Sequence, residues 1–201
     1  GGAENTADAG VGAVPSNEGG APTLGCTGDV LFVVGSDTLT RGDSAILDRL
    51  RGLGFVVSII SATMVTTDSA ADADVIFISR SVHSPEVMAS FRERPTGLFV
   101  TEYNLYSALG MTEASPNTSG GDTLTATELV ISDPTHPLAA GFSDTVTVLS
   151  EGKGQYGWGV PGSGAVVVAT LVGEDKGAAV FAYEQGAPMI QLSAPARSEE
   201  R

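Results

Sequence analysis

The run Val30-Leu31-Phe32-Val33-Val34 constrains the fold of this chain more than any other feature. Five consecutive apolar residues, closed at once by Gly35-Ser36, fit a strand covered on both faces. Helical spacing follows directly. Ile46, Leu47, Leu50 and Leu53 recur at one-turn intervals, Asp43 is placed to cap the start, and Gly54 ends the segment. Further strands are expected over 55–60, 74–79 and 97–101. Between the last two, Ser84-Pro85-Glu86 opens a helix with Ser at the cap and Pro at the first helical position, and Val87, Met88 and Phe91 form its inner face. Continuous apolar strands that alternate with helices predict a mainly parallel sheet covered on both faces, an α/β sandwich of three layers. Glu102-Tyr103-Asn104 stands at the C-terminal end of the fourth strand, before a short helical piece over 105–109. Ligands of open α/β sheets bind outside such ends.

The second half is richer in Thr, Val and Gly. Strands are expected over 124–132, 145–150, 165–172 and 178–183, with a hairpin near the turn 172–177 and a last strand over 188–192. Residues 1–27 are rich in Gly, Ala, Ser and Pro without hydrophobic period, so they are expected to form a flexible tail or docking arm. That places one domain over 28–196 and a charged tail over 197–201. A start at Gly1-Gly2 rather than Met suggests that a signal peptide or another module was removed upstream, so a secreted or cell-surface protein is expected.

The 201 residues carry a formal net charge of −14, and Lys153 and Lys176 are the only lysines. Such a field repels nucleic-acid phosphates and anionic headgroups, so neither is an expected partner. No run approaches the ~20 apolar residues of a membrane-spanning helix. The single cysteine, Cys26, excludes an intramolecular disulfide and any multi-thiolate metal site, and it precedes the sheet in a Gly-rich approach.

Several segments invite a functional reading. The loop containing Ser36, Asp37 and Thr38 follows the first strand, where flavodoxins place a phosphate-binding loop. However, Leu39 stands where that pattern wants Gly, and Asp37 and Asp43 bring negative charge. With no Walker lysine and no spaced GxGxxG, no cofactor is expected. Asp68, Asp72 and Asp74 lack the Gly and terminal Glu of a calcium loop and read as a solvated acidic turn. Asn117-Thr118-Ser119 fits a glycosylation sequon. Trp158, beside Tyr156 in a Gly-rich stretch read as a loop, suits either stacking on a sugar or partner, or packing on the core.

The segment Ile131-Ser132-Asp133-Pro134-Thr135-His136-Pro137-Leu138-Ala139-Ala140-Gly141-Phe142 resembles the His-Pro segment of ThuA-like domains, relatives within the class I glutamine amidotransferase-like superfamily. With the strand and helix order from Val30 to Asn104 and the stretch from Ala178 to Glu184, the likeness covers most of the chain. It implies a flavodoxin-like fold. An amidotransferase of this kind carries its nucleophilic Cys at a sharp turn after a central strand, a place that falls near Glu102-Tyr103 here, where neither Cys nor Ser stands.

The expected function is therefore a non-catalytic binding module of a secreted protein. It would take a carbohydrate or another protein at the C-terminal edge of the sheet, through Ser36, Asp37, Thr38, Glu102, Tyr103, His136 and Trp158. Self-assembly through the N-terminal arm is a further expectation. The alternative is a hydrolase or isomerase on a sugar-like substrate, with Glu102 and His136 as the acid/base pair.

Overall fold

The computed structural model describes residues 26–83, 91, 96–112, 120–123, 126–148, 156–173 and 177–184. The helix opened by Ser84-Pro85, the sequon, the strand over 188–192, the charged tail and all but the end of the N-terminal arm lie outside these residues.

Strand β1 (Asp29–Val34) is the centre of the first sheet. It pairs in parallel with β2 (Val56–Ser61) on one side and β3 (Val75–Ile78) on the other, and β3 pairs in parallel with β4 (Gly97–Val100). The strand order is β2-β1-β3-β4. Because β1 has neighbours on both edges and cover on both faces, all five residues from Val30 to Val34 are buried, as their unbroken apolar character requires. Leu31, Val33, Ile76 and Ile78 point to one face, where they meet Ala62, Ala70, Val82, Phe91, Leu105 and Leu109. Phe32 and Val34 point to the other and pack with Leu47 and Ile46 of helix α1 (Arg41–Gly52). On that face the register aligns Ile59, Phe32, Phe77 and Phe99 in one row across the sheet, with the Phe32 and Phe77 rings 5.5 Å apart and Phe77 and Phe99 4.9 Å apart. Phe32 in this row is fully buried and contributes about 1.5–3 kcal/mol, while Ile59 and Phe99 at its ends are exposed.

Helix α1 is capped earlier than the sequence suggests. Thr40, not Asp43, is the N-cap; its side chain accepts from the Asp43 backbone while the Asp43 carboxylate reaches back to the Thr40 N–H, a complete capping box. The helix ends at a Leu53 cap, and Gly54 follows with φ 100, a conformation that favours glycine.

The second sheet has six strands in the order β5-β8-β10-β9-β6-β7, and every pairing in it is antiparallel. Strands β6 (Glu128–Ile131), β7 (Thr145–Thr147), β9 (Ala165–Leu171) and β10 (Ala178–Tyr183) fall within the expected segments, and β9 and β10 pair as the expected hairpin. Strands β5 (Gly120–Thr123) and β8 (Tyr156–Gly159) fall outside them, because neither GGDT nor YGWG carries an apolar run. Their glycines have a packing reason. A Cβ on Gly159 would lie 2.9 Å from the Tyr106 ring and 3.0 Å from the Thr112 methyl, so only Gly lets the segment after β4 seat on this sheet. Tyr106 then meets Phe181 edge-on at 5.4 Å, and the Tyr183 hydroxyl donates to the Met111 carbonyl at 2.7 Å. The two sheets are thereby joined through residues 103–112.

The tightest approach lies at the C-terminal end of β1, where a Cβ on Gly35 would come 2.0 Å from the Ser81 carbonyl oxygen. Gly35→Ala should therefore destabilise the protein by about 3 kcal/mol through forced backbone displacement. Gly52→Ala, at a helical position with open space around it, should stabilise by about 0.5–1 kcal/mol. Urea unfolding midpoints check both: a fall for the first and a rise for the second are expected, and equal midpoints would contradict the packing described.

Candidate functional site

Strands β1, β3 and β4 run in parallel and end at the same edge, and each leaves it in a polar segment. These segments surround an open cleft of about 610 Å³. Thr40, Gly42, Asp43 and Ile46 contribute from the start of α1; Ser79, Arg80, Ser81 and His83 follow β3; Glu102, Tyr103 and Asn104 follow β4. Asp122 closes the far side from β5 of the second sheet.

Asp43 organises the near wall. It is only 2% exposed, yet both carboxylate oxygens are satisfied. Oδ2 accepts from the Thr40 N–H at 2.9 Å and the Thr40 hydroxyl at 2.7 Å, while Oδ1 accepts from the Ser79 hydroxyl and from the Ser81 hydroxyl at 3.1 Å. Ser81 Oγ in turn accepts from the Gly35 N–H at 2.9 Å. Burial by itself would raise the Asp43 pKa, but the hydroxyls of Ser79, Thr40 and Ser81 and the Thr40 N–H together hold it below the ordinary aspartate value of 3.8. The start of the helix is thus occupied by its own carboxylate. Its N–H groups at Thr40 and Asp43 are spent on that box, and a phosphate there would meet a fixed negative charge.

Glu102 organises the far wall. It follows β4 with relaxed extended backbone angles, φ −103 and ψ 109, and is 2% exposed. Its Oε1 accepts from the Asn104 N–H at 3.1 Å and from the Asn104 side-chain amide at 2.5 Å, which fixes both side chains beside the 3-10 turn Tyr103–Leu105. Beneath it, burial and then the Glu102 charge push the Tyr106 hydroxyl up to about 12, so this phenol keeps its proton at neutral pH. Arg80 and Asp122 approach to 3.6 Å across the mouth and tie the loop after β3 to the second sheet.

Of the residues expected from sequence, Glu102 and Tyr103 line this cleft. Ser36, Asp37 and Thr38 do not; the Ser36 hydroxyl donates to the Thr38 carbonyl in a turn of their own. His136 does not line it either. Its Nδ1 accepts from the Leu138 N–H at 3.1 Å and caps the 3-10 turn Pro137–Ala139, while Nε2 faces Glu184 Oε1 at 3.3 Å. The His-Pro segment is thus a self-capping turn: Asp133 accepts from the Thr135 N–H and hydroxyl, and Ala140 leaves with φ 52. Trp158 is in strand β8 rather than a loop. By alternation it lies on the face opposite Gly157 and Gly159, which meet Tyr103 and Tyr106, and it packs with Leu129, Ala169 and Leu171. Cys26 hydrogen-bonds through its N–H to the Leu53 carbonyl at the N-terminal end of the sheet, roughly a strand length of ~20 Å from the cleft. Asp74 accepts from the Asp29 N–H at 2.9 Å, and among the described residues no three His, Cys, Asp or Glu side chains group as a metal site. Asn104 is marked in the sequence only by its place beside Glu102, and Ser79, Ser81 and Asp122 carry no signal there, since the fold alone brings them to the walls.

No protein-family model and no curated protein matches the chain. Among solved structures it is similar to a GMP synthase-type protein from Thermoplasma acidophilum, with a TM-score of 0.52, 10% identity and 78% of each chain covered. It is also similar to PurLQS from Thermotoga maritima, with a TM-score of 0.48 and 15% identity over 79% of this chain and 83% of the other. At 10% identity the first likeness speaks for the fold alone, a flavodoxin-like α/β fold.

The Asp43 contacts give a signed pH prediction. A carboxylate whose pKa is lower in the folded state stabilises above its unfolded pKa, and that contribution disappears as pH falls through the folded value, here below 3.8. Asp43→Asn should cost about 1–3 kcal/mol at neutral pH. The gap from the parent protein should narrow on acidification below pH ~4. Denaturant unfolding at a series of pH values checks this, and a gap independent of pH would contradict it.

Proposed function

We propose that this chain is a non-catalytic module of a secreted protein that binds a small hydroxylated ligand, a carbohydrate, in the cleft at the C-terminal edge of the parallel sheet. The observation that carries this reading is Glu102, a buried carboxyl held by Asn104 at a strand end with its side chain lining the cleft. Carboxyl, amide and hydroxyl groups on fixed backbone are suited to reading sugar hydroxyls, and the adjoining Tyr103 offers an aromatic surface. The position that would carry an amidotransferase nucleophile holds Glu102-Tyr103, without the strained backbone of a nucleophile elbow. The lone thiol is at the other end of the sheet. The net charge of −14 supports a neutral or cationic ligand over nucleic acid.

The test is calorimetric titration of the purified chain with a panel of neutral mono- and disaccharides. Binding is expected for at least one, weakened about tenfold or more by Glu102→Ala, as for loss of a hydrogen bond to a charged group. Absence of binding across the panel, or affinity unchanged by Glu102→Ala, would contradict the proposal.

A further inference from the structure

We propose that the cleft selects a ligand with a protonated amine on a hydroxylated skeleton, an amino sugar rather than a neutral or acidic one. This rests on the carbohydrate-binding reading above and specifies its ligand class.

Three carboxyl groups line the cleft, those of Asp43, Glu102 and Asp122, against one guanidinium, that of Arg80. His83 is the only other side chain there that could add positive charge. Arg80 stands 3.6 Å from Asp122, and Asp43 is saturated by four donors from Thr40, Ser79 and Ser81. Glu102 differs from both. The two hydrogen bonds it receives go to Oε1, and Oε2 takes no donor from any described residue although the side chain is 2% exposed. No fully enclosed side-chain oxygen lacks a partner among the described residues, so Oε2 borders the cleft itself. An oxygen open to the cleft is hydrated in the free protein, and a ligand donor takes the place of that water. A hydroxyl offers one neutral hydrogen bond there. An ammonium offers three donors and the opposite charge, which makes the bond charge-assisted and shorter. A uronic acid would instead bring a fourth carboxylate into the cleft.

The experiment is titration of the full chain with glucosamine, glucose and glucuronate at a pH where the amine is charged, with Glu102→Gln as the variant of equal shape. Glucosamine should bind about tenfold tighter than glucose, and glucuronate weakest; in Glu102→Gln the preference for the amine should vanish, so that glucosamine and glucose bind equally. Glucose binding as tightly as glucosamine would overturn the amine selection and leave the carbohydrate site standing. A preference that survives Glu102→Gln would overturn it too, since it would then come from the overall charge of −14. No binding of any of the three would remove both readings together.

Discussion

The C-terminal edge of the parallel sheet depends on one buried carboxylate, that of Asp43. Asp43 ties the cap of α1 to the loop after β3, and through Ser81 it fixes the N–H of Gly35 at the end of β1. Segments on either side of a long sequence separation are held in one geometry. The short approach of Gly35 to the Ser81 carbonyl follows from the same knot, because only a residue without Cβ can be drawn so close. The wall of the cleft nearest β1 is therefore cross-linked by hydrogen bonds between α1, the end of β1 and the loop after β3.

The opposite wall is built differently. There the chain leaves β4 into Glu102 and the turn Tyr103–Leu105, and this segment is supported by the glycine-rich strands β5 and β8. The antiparallel sheet thus does more than complete the fold: it carries Asp122 to the mouth and backs Tyr103 and Tyr106. What results is a cleft between two sheets, with carboxyl groups on both walls.

The parallel half is legible in the sequence because its strands are apolar runs; burial on both faces accounts for the run in β1, whereas Val56 and Ile59 of β2 and Phe99 of β4 are exposed. Glu102 draws notice in the sequence from its place at the C-terminal end of β4, since ligands of open α/β sheets sit outside such ends. The rest is hidden by physics that acts over long separations. GGDT and YGWG do not look like strands, because their glycines clear Tyr103, Tyr106 and Trp158 rather than fill a core. Asp43 reads as a helix cap and is the partner of one, but its bonds to Ser79 and Ser81 span 36 and 38 residues. His136 draws notice as a scarce histidine; its two ring nitrogens are taken up by Leu138 and Glu184.

The most direct test of the cleft as the binding site is an amide NMR titration of the chain with the tightest saccharide available. Perturbations are expected to centre on Ser79, Ser81, Glu102–Asn104 and Asp122, the residues that surround the cleft. Perturbations centred instead on Ser36–Thr38, His136 or Trp158 would contradict it and place the ligand elsewhere on the molecule.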